Sequence, residues 1–316
     1  MSHVFVTGAG GFVGQALCRR LLADGWRVRG AVRTSQGTIM PDGAEIIHID
    51  HIERAVDWPP LLSGMDIIVH LAARVHVARE TALDPSAAFR EVNVRATERL
   101  AKAAAVAGVK RLIYISTVKV HGEVSQKPLT EEDPIAPADP YSVSKWEAER
   151  VLRQVSGETG LDVVILRPPL VYGPGVKANF LSLLKWVAGG FPLPLGAIEN
   201  QRSLIYLDNL VDAISVVMNR PEAAGQTFLV SDGQDVSTPQ LIQQIAASMH
   251  IKPRLWPASM NLLKFLGRIS GRIAEAAKII GSLSVDASKI GERLQWRPPY
   301  AFEQGIRETV QWYMTS

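Results

Sequence analysis

Tyr141 and Lys145 lie four positions apart in the segment YSVSK, so a helix would put both side chains on one face. A phenol with a free pKa of about 10 is a poor base at neutral pH. An ammonium beside it favours the phenolate, and the pair could then exchange a proton with a substrate hydroxyl. The same spacing also occurs on ordinary exposed helices, so the chemistry depends on the elements that position the pair.

A strand, a glycine turn and a helix open the chain. The strand VFV precedes Gly8, Gly11 and Gly14, and a segment with helical apolar spacing follows. Gly8 suits a tight turn, Gly11 lets the backbone approach a pyrophosphate, and Gly14 allows the helix to pack closely on the strand. The helix N-terminus, at Phe12 and Val13, would face the phosphate charge. This order predicts a dinucleotide site.

Strands and helices alternate until Pro168 and become irregular after it. The alternation predicts an α/β fold: a Rossmann-like, doubly wound parallel sheet with a smaller, interleaved C-terminal part that binds substrate. Predicted strands cover 3–7, 26–33, 44–49, 66–71, 110–116, 161–166, 204–206 and 227–230, and predicted helices cover 12–24, 84–107, 141–157, 179–188, 209–218, 238–249, 258–280 and 302–313. We assign 1–167 and about 204–232 to the dinucleotide-binding domain, and 168–203 and 233–316 to the substrate-binding part.

Composition and charge limit the class of protein. The chain has 316 residues, 47% of them hydrophobic, which is ample for a core. Its one cysteine, Cys18, excludes an internal disulfide and is expected to pack in the first helix, as in a cytoplasmic protein. The net charge of +3 comes from scattered basic residues and predicts no nucleic-acid partner. Without an export signal or an apolar stretch of ~20 residues, membrane contact is not expected; no metal site is predicted.

With these motifs the chain resembles the extended short-chain dehydrogenase/reductase family, in its branch of NAD(P)-dependent nucleotide-sugar epimerases, dehydratases and reductases. The resemblance spans essentially the whole length. It rests on TGAGGFVG at 7–14, HLAA at 70–73, Asn93, ISTVKVHG at 115–122, YSVSK at 141–145, LRPPLVYGPG at 166–175 and DASK at 286–289. The run RVHV at 74–77 is similar to a bacterial surface-polysaccharide subgroup that is often labelled UDP-glucose 4-epimerase.

The resemblance implies that Thr117, Tyr141 and Lys145 are catalytic. The Thr117 hydroxyl would hydrogen-bond the substrate oxygen that Tyr141 titrates, while Lys145 would bind the nicotinamide ribose and keep the phenol acidic. Sugar 4,6-dehydratases follow the threonine with an Asp-Glu pair. Val118 and Lys119 take those places here, which argues against dehydration. His121 is interpreted as a turn residue.

The second strand ends at Arg33 and contains no acidic residue. A carboxylate there would hold the ribose of NAD, whereas an arginine accommodates the extra phosphate of NADP. The sequence therefore favours NADP(H), with NAD(H) as the alternative if Arg33 is only an exposed side chain. Asp50, next to His51 after the third strand, could accept a hydrogen bond from the adenine amine or cap a turn. The resemblance adds further cofactor contacts at Leu71, Ala72, Ala73 and Pro168.

The resemblance also implies where a nucleotide sugar would bind. Arg202 matches an arginine that contacts the diphosphate, and a guanidinium suits two phosphate oxygens. Asn179 and Phe180 match a nucleotide-contacting segment whose backbone would contact uracil. A second arginine of many epimerases has Arg272 and Lys278 as candidates here, and Leu283 falls where epimerases adjust the room for an N-acetyl group.

Two enzyme hypotheses share these residues. The first is reduction at C4 of a UDP-4-keto-6-deoxy-N-acetylhexosamine in surface polysaccharide (O-antigen) biosynthesis, which Arg33 favours. The alternative is a UDP-hexose or UDP-N-acetylhexosamine 4-epimerase that retains NAD. A non-catalytic, cofactor-sensing protein is a third hypothesis. A homodimer through helices 84–107 and 141–157 is expected from the resemblance, and the basic amphipathic segment 258–280 could either cover the substrate or contact a membrane to admit a lipid-linked sugar.

Overall fold

A parallel sheet forms the centre of the molecule, in a computed structural model that describes residues 2–34, 40–75, 84–258 and 280–316. The strands are β1 (His3–Thr7), β2 (Arg27–Val32), β3 (Glu45–His48), β4 (Ile67–His70), β5 (Arg111–Ile115), β6 (Asp162–Arg167), β7 (Leu170–Tyr172), β8 (Leu204–Tyr206) and β9 (Thr227–Leu229). Seven of them pair in the order β3-β2-β1-β4-β5-β6-β9. The order reverses between β1 and β4, where an open parallel sheet has its ligand crevice. The predicted Rossmann-like fold is confirmed.

The helices flank this sheet on both faces. They are α1 (Phe12–Ala23), α2 (Trp58–Leu62), α3 (Pro85–Arg90), α4 (Ala96–Val106), α5 (Pro140–Thr159), α6 (Ala178–Ala188), α7 (Leu207–Asn219), α8 (Thr238–Ser248), α9 (Ser288–Leu294) and α10 (Phe302–Thr315). The predicted long helix 84–107 is α3 and α4 joined by a π-helical turn, Glu91–Arg95. Asp84 caps its start by accepting from the Ala87 N–H at 3.0 Å, and Gly108, with φ +74°, follows its end.

Apolar side chains fill both faces of the sheet. On the α1 side, Leu17, Cys18 and Leu21 are fully buried against the strands. Burial raises the pKa of the Cys18 thiol to about 12, so this cysteine is an unreactive packing residue, as predicted. On the other side, Leu100 of α4 and Leu152 of α5 pack on β4 and β5. The two layers fix α1 and α5 relative to the same sheet edge.

The predictions for the second half of the chain are less complete. β9 joins the main sheet beside β6, but β8 pairs with β7 in a separate two-stranded sheet. The short helices α2 and α9 were not predicted. The proposed domain boundaries remain a prediction, and 259–279, most of the predicted helix 258–280, lies outside the described residues. Within the described ranges no helix is long and apolar enough to cross a bilayer.

Candidate active site

The turn between β1 and α1 packs against the end of β4. Gly8 has φ +67°, and a Cβ added there would lie 2.8 Å from the Ala72 nitrogen. A Cβ on Gly14 would lie 2.3 Å from the Gly8 carbonyl oxygen. The Gly11 N–H donates to that same oxygen at 2.9 Å. Glycine is therefore required for a turn whose bare backbone lies at the ligand crevice.

The N-terminus of α1 lies at this turn. Gly11 is the N-cap residue, and among the described residues no side chain caps the first N–H groups. Phe12 and Val13, both half-buried, begin the helix. Unsatisfied N–H groups and the helix dipole favour negative charge here, so the residues fit the pyrophosphate of a nicotinamide dinucleotide.

The other predicted cofactor residues at the ends of β2 and β3 are exposed. Arg33 follows β2 directly. The Asp50 carboxylate accepts from the Thr34 N–H at 2.6 Å and from the Thr34 hydroxyl at 3.2 Å. These bonds lower the pKa of Asp50, so it is ionised at neutral pH. His51 contacts Glu53 at 2.9 Å.

The loop after β4 is tied to both β1 and α5. The Leu71 and Ala72 N–H groups donate to the Thr7 carbonyl and hydroxyl oxygens, both at 3.2 Å, and Ala73 follows half-buried. Asn93, 1% exposed, lies in the π-helical turn. It accepts from the Arg74 N–H at 2.7 Å and donates to the Ser144 hydroxyl at 2.9 Å. The π turn thus connects the loop after β4 to the helix of Tyr141.

The three predicted catalytic residues come from β5 and α5. Thr117 is 7% exposed and caps the 3-10 turn Val118–His121, its oxygen accepting from the Lys119 N–H at 3.3 Å. On α5, Tyr141 is half-buried and Lys145 is 2% exposed. The helix contacts the 3-10 turn directly. The structure therefore brings the 3-10 turn that Thr117 caps next to α5, at the carboxyl edge of the sheet.

An ion pair joins the 3-10 turn to the N-terminus of α5. The Asp139 side chain caps α5 by accepting from the Ser142 N–H at 2.7 Å, and its other oxygen receives the Lys119 ammonium. Lys119 also contacts Glu123 at 2.8 Å. Val118 and Lys119 occupy the two positions at which 4,6-dehydratases have an Asp-Glu pair, and Val118 is 1% exposed. A buried hydrocarbon and a paired ammonium do not supply the acid and base that loss of water needs.

Pro168 completes this edge from β6, since its carbonyl oxygen accepts from the Val118 N–H at 3.0 Å. The proline is buried, and the contact holds the end of β6 beside the Thr117 turn.

The pKa shifts of Tyr141 and Lys145 differ from the sequence-based expectation. Burial, with a smaller effect of the Asp139 charge, raises the pKa of Tyr141. Burial lowers the pKa of Lys145 to about 7, against the opposing charge of Glu149. The expected lowering of the phenol pKa by Lys145 is thus wrong for the protein alone, because desolvation disfavours both charged forms. A further positive charge at the site would favour the phenolate.

A buried network behind Lys145 was not predicted. Glu149, with no exposed surface, accepts from the Ser116 hydroxyl at 2.6 Å and from the Arg167 guanidinium at 2.6 and 2.9 Å. Arg167 Nη1 lies 2.8 Å from His121 Nε2, so His121 is a buried polar contact and not merely a turn residue. Burial, then the Arg167 charge, lowers the pKa of His121. Glu149 lies one helical turn beyond Lys145, a spacing that could have indicated it.

The predicted substrate-binding residues differ in how far their side chains are available to a ligand. Asn179 is exposed, whereas the Phe180 ring stacks on Tyr172 at 5.5 Å in the core, which leaves only its backbone for a ligand. Arg202 is half-buried and donates to the Gly281 carbonyl at 3.0 Å. Burial lowers the pKa of Arg202, and the charge of Glu123 opposes this.

Leu283 is 6% exposed beside Arg202. Arg272, Lys278 and the 76–77 part of the RVHV run lie outside the described residues.

Fold and site together define an enzyme of the extended short-chain dehydrogenase/reductase class. The chain belongs to the NAD dependent epimerase/dehydratase family, which matches residues 4–231.

Comparison with known proteins agrees with this assignment. The chain is 39% identical over 315 residues to a UDP-glucose 4-epimerase of Vibrio cholerae, covering 98% of this chain and 95% of that one. It is 28% identical to an N-acetyl-alpha-D-glucosaminyl-diphospho-ditrans,octacis-undecaprenol 4-epimerase of Escherichia coli, with the same coverage of 98% and 95%. A dTDP-glucose 4,6-dehydratase from Streptomyces venezuelae, solved with NAD bound, aligns with a TM-score of 0.79 at 27% identity over 99% of this chain and 97% of that one. These comparisons do not support the predicted preference for NADP.

Proposed function

We propose that the protein is an NAD-retaining 4-epimerase of a UDP-sugar, acting by reversible oxidation at C4. The observation that carries the proposal is the Thr117, Tyr141 and Lys145 site in a chain 39% identical, over 98% of its length, to a UDP-glucose 4-epimerase. In this proposal Tyr141 exchanges the proton of the C4 hydroxyl while the Thr117 hydroxyl holds the same oxygen. NAD, held by the turn at Gly8 and Gly11, would supply the reversible hydride acceptance that inversion at C4 requires.

The residues around Thr117 and Tyr141 would position the cofactor and the substrate and would supply positive charge. The Lys145 amine would bind the nicotinamide ribose, and its ammonium form would favour the Tyr141 phenolate once the positive nicotinamide is present. Gly8, Gly11 and the N-terminus of α1 would hold the pyrophosphate. Arg202 would hold the sugar nucleotide diphosphate, and the backbone at Asn179 and Phe180 would contact the uracil.

A second candidate is the NADPH-dependent reduction of a UDP-4-keto-6-deoxy-N-acetylhexosamine for surface polysaccharide. Arg33 favours it, because its exposed guanidinium follows β2 where a phosphate on the adenine ribose would lie. The proton from Tyr141 and the position of Thr117 would be the same. The cytoplasmic location, the homodimer and the lack of membrane contact remain predictions from the sequence.

Three measurements on one preparation separate these functions. The protein is denatured to identify any released cofactor, is incubated with UDP-glucose and UDP-N-acetylglucosamine without added cofactor, and is mixed with NADPH and the 4-keto sugar nucleotide. Bound NAD with isomerisation supports the epimerase. Stoichiometric NADPH loss without isomerisation would replace it with the reductase, and a bound cofactor that never changes redox state would favour the sensing hypothesis. Tyr141→Phe is the matched inactive control.

A further inference from the structure

The ring of Tyr114, the last residue but one of β5, contacts Lys145 and His70. The Lys145 amine lies 4.0 Å from its centroid on one side. The His70 ring stacks on it at 5.7 Å, with 30° between the planes. An ammonium over an aromatic face is attracted by the ring quadrupole, most strongly where water is excluded. Tyr114, 1% exposed, is in such a place.

The hydroxyl of Tyr114 makes no contact with the described residues that would favour a tyrosine at this position. It is buried and has no hydrogen-bond partner within the described part of the chain. Burial raises the pKa of Tyr114, and the nearby Tyr141 and Glu149 act in the same direction, so it stays a neutral phenol. A buried hydroxyl without a partner costs stability. The ring face is what contacts the catalytic lysine.

The charged and titratable groups around Lys145 are few. Glu149 favours its ammonium from the same helix, but the Glu149 oxygens already accept from Ser116 and Arg167. His70, from β4, is neutral, since burial and the Lys145 charge lower its pKa to about 3. Tyr141 is an un-ionised phenol. Among the described residues no hydrogen bond or ion pair reaches the Lys145 amine, so the Tyr114 ring is its nearest attractive contact.

We propose that Tyr114 is a positioning residue, whose ring face holds the Lys145 ammonium at the nicotinamide end of the cofactor groove. The proposal rests on the proposed function only in assuming that Lys145 serves the cofactor. The phenol hydroxyl is dispensable to this role. Loss of the ring removes a contact that stabilises the ammonium form of Lys145 but not its neutral form. The pKa of Lys145 therefore falls, and its amine is held less firmly toward the nicotinamide ribose.

Two variants separate ring from hydroxyl. Tyr114→Phe keeps the ring and removes the unpartnered hydroxyl, so NADH affinity and its pH dependence stay unchanged, and the melting temperature is equal or about 2 °C higher. Tyr114→Leu removes the ring, so NADH binds about tenfold more weakly near neutral pH, and the pH above which binding weakens falls by about one unit. Equal NADH binding and pH dependence in Tyr114→Leu and the native protein would overturn the proposal, as would equal losses in both variants.

A graded series covers the case in which Tyr114→Leu fails to fold. Phenylalanine with one, two or three ring fluorines at position 114 keeps the shape and progressively weakens the negative face of the ring. We expect NADH affinity to fall stepwise with fluorination while the melting temperature stays nearly constant. A flat series would contradict the proposal. Because NADH binding needs no sugar, turnover of UDP-sugars by the native protein tests the proposed function separately.

Discussion

The two ends of the proposed dinucleotide groove are built differently. At the nicotinamide end, Lys145 and Glu149 are at most 2% exposed, and burial shifts the pKa of both Tyr141 and Lys145. At the adenine end, Arg33, Asp50 and His51 are all exposed. Proton transfer needs groups whose pKa values are moved by desolvation, whereas the choice of cofactor depends on a few solvated side chains. Substitutions should therefore have large effects at the first end and small effects at the second.

The largest effect is expected at the proton donor. Tyr141→Phe removes the exchangeable proton and keeps the ring, so turnover should fall about 10³-fold. The ring contact with Phe89, at 6.3 Å between centroids, is retained, so cofactor content and melting temperature should not change. Steady-state turnover together with released cofactor tests this. Turnover within threefold or so of the native rate would exclude Tyr141 from the proton step.

The buried lysine should show opposite effects on turnover and stability. Lys145→Met should lower turnover about 10²-fold. Because the folded pKa is near 7 and the unfolded one is 10.5, the unfolded chain binds more protons between these values, so the native protein gains stability as pH rises through that window. The variant lacks this dependence.

The stability test for Lys145→Met is its melting temperature against pH. The variant should melt above the native protein at pH values below about 7, with the difference shrinking as pH rises. A constant difference at all pH values would show that the lysine is not charged and desolvated as described.

The buried network should matter to stability more than to chemistry. Glu149→Gln keeps the shape but leaves the Arg167 charge, 2% exposed, without its carboxylate. Breaking a buried ion pair in this way costs about 3 kcal/mol. Chemical denaturation measures it, and Glu158→Gln, at an exposed site on the same helix, is the control with a change below about 0.5 kcal/mol. Equal effects of the two variants would mean that the network contributes nothing.

The diphosphate contact should affect substrate binding more than turnover. Arg202→Gln removes a guanidinium that can hold two phosphate oxygens, so KM should rise about tenfold with a smaller change in kcat. The exposed Arg307, changed to glutamine, is the control. A fall in kcat at constant KM would place Arg202 outside the diphosphate site.

The smallest effect is expected at the adenine end. Arg33→Ser removes an exposed charge, so NADH affinity should change less than about threefold. Fluorescence titration with NADH and NADPH compares the two cofactors. A selective loss of NADPH affinity, with tight NADPH binding by the native protein, would favour the reductase over the epimerase.

The sequence could predict features that depend on neighbouring residues, but not contacts between residues that are distant in the chain. The glycine turn, the helix of Tyr141 and the alternation of strands and helices depend on short-range spacing and were predicted. The helical spacing from Lys145 could have indicated Glu149 itself. Its contact with Arg167, like that of Tyr114 with Lys145, joins residues from different elements, so no local pattern indicates either contact. Asn93, in the π turn, likewise contacts both the loop after β4 and α5. The shift of the Tyr141 pKa was mispredicted because spacing reveals a charged neighbour but not the extent of burial.

In the proposed reaction the sugar is oxidised reversibly at C4 without leaving the protein. Its most direct test uses UDP-glucose with deuterium at C4, incubated with the purified protein without added cofactor and followed by NMR. The account predicts that the 4-epimer forms with the deuterium still at C4, because the same hydride leaves and returns. Deuterium lost to solvent, or held on the protein-bound cofactor with no epimer formed, would contradict it.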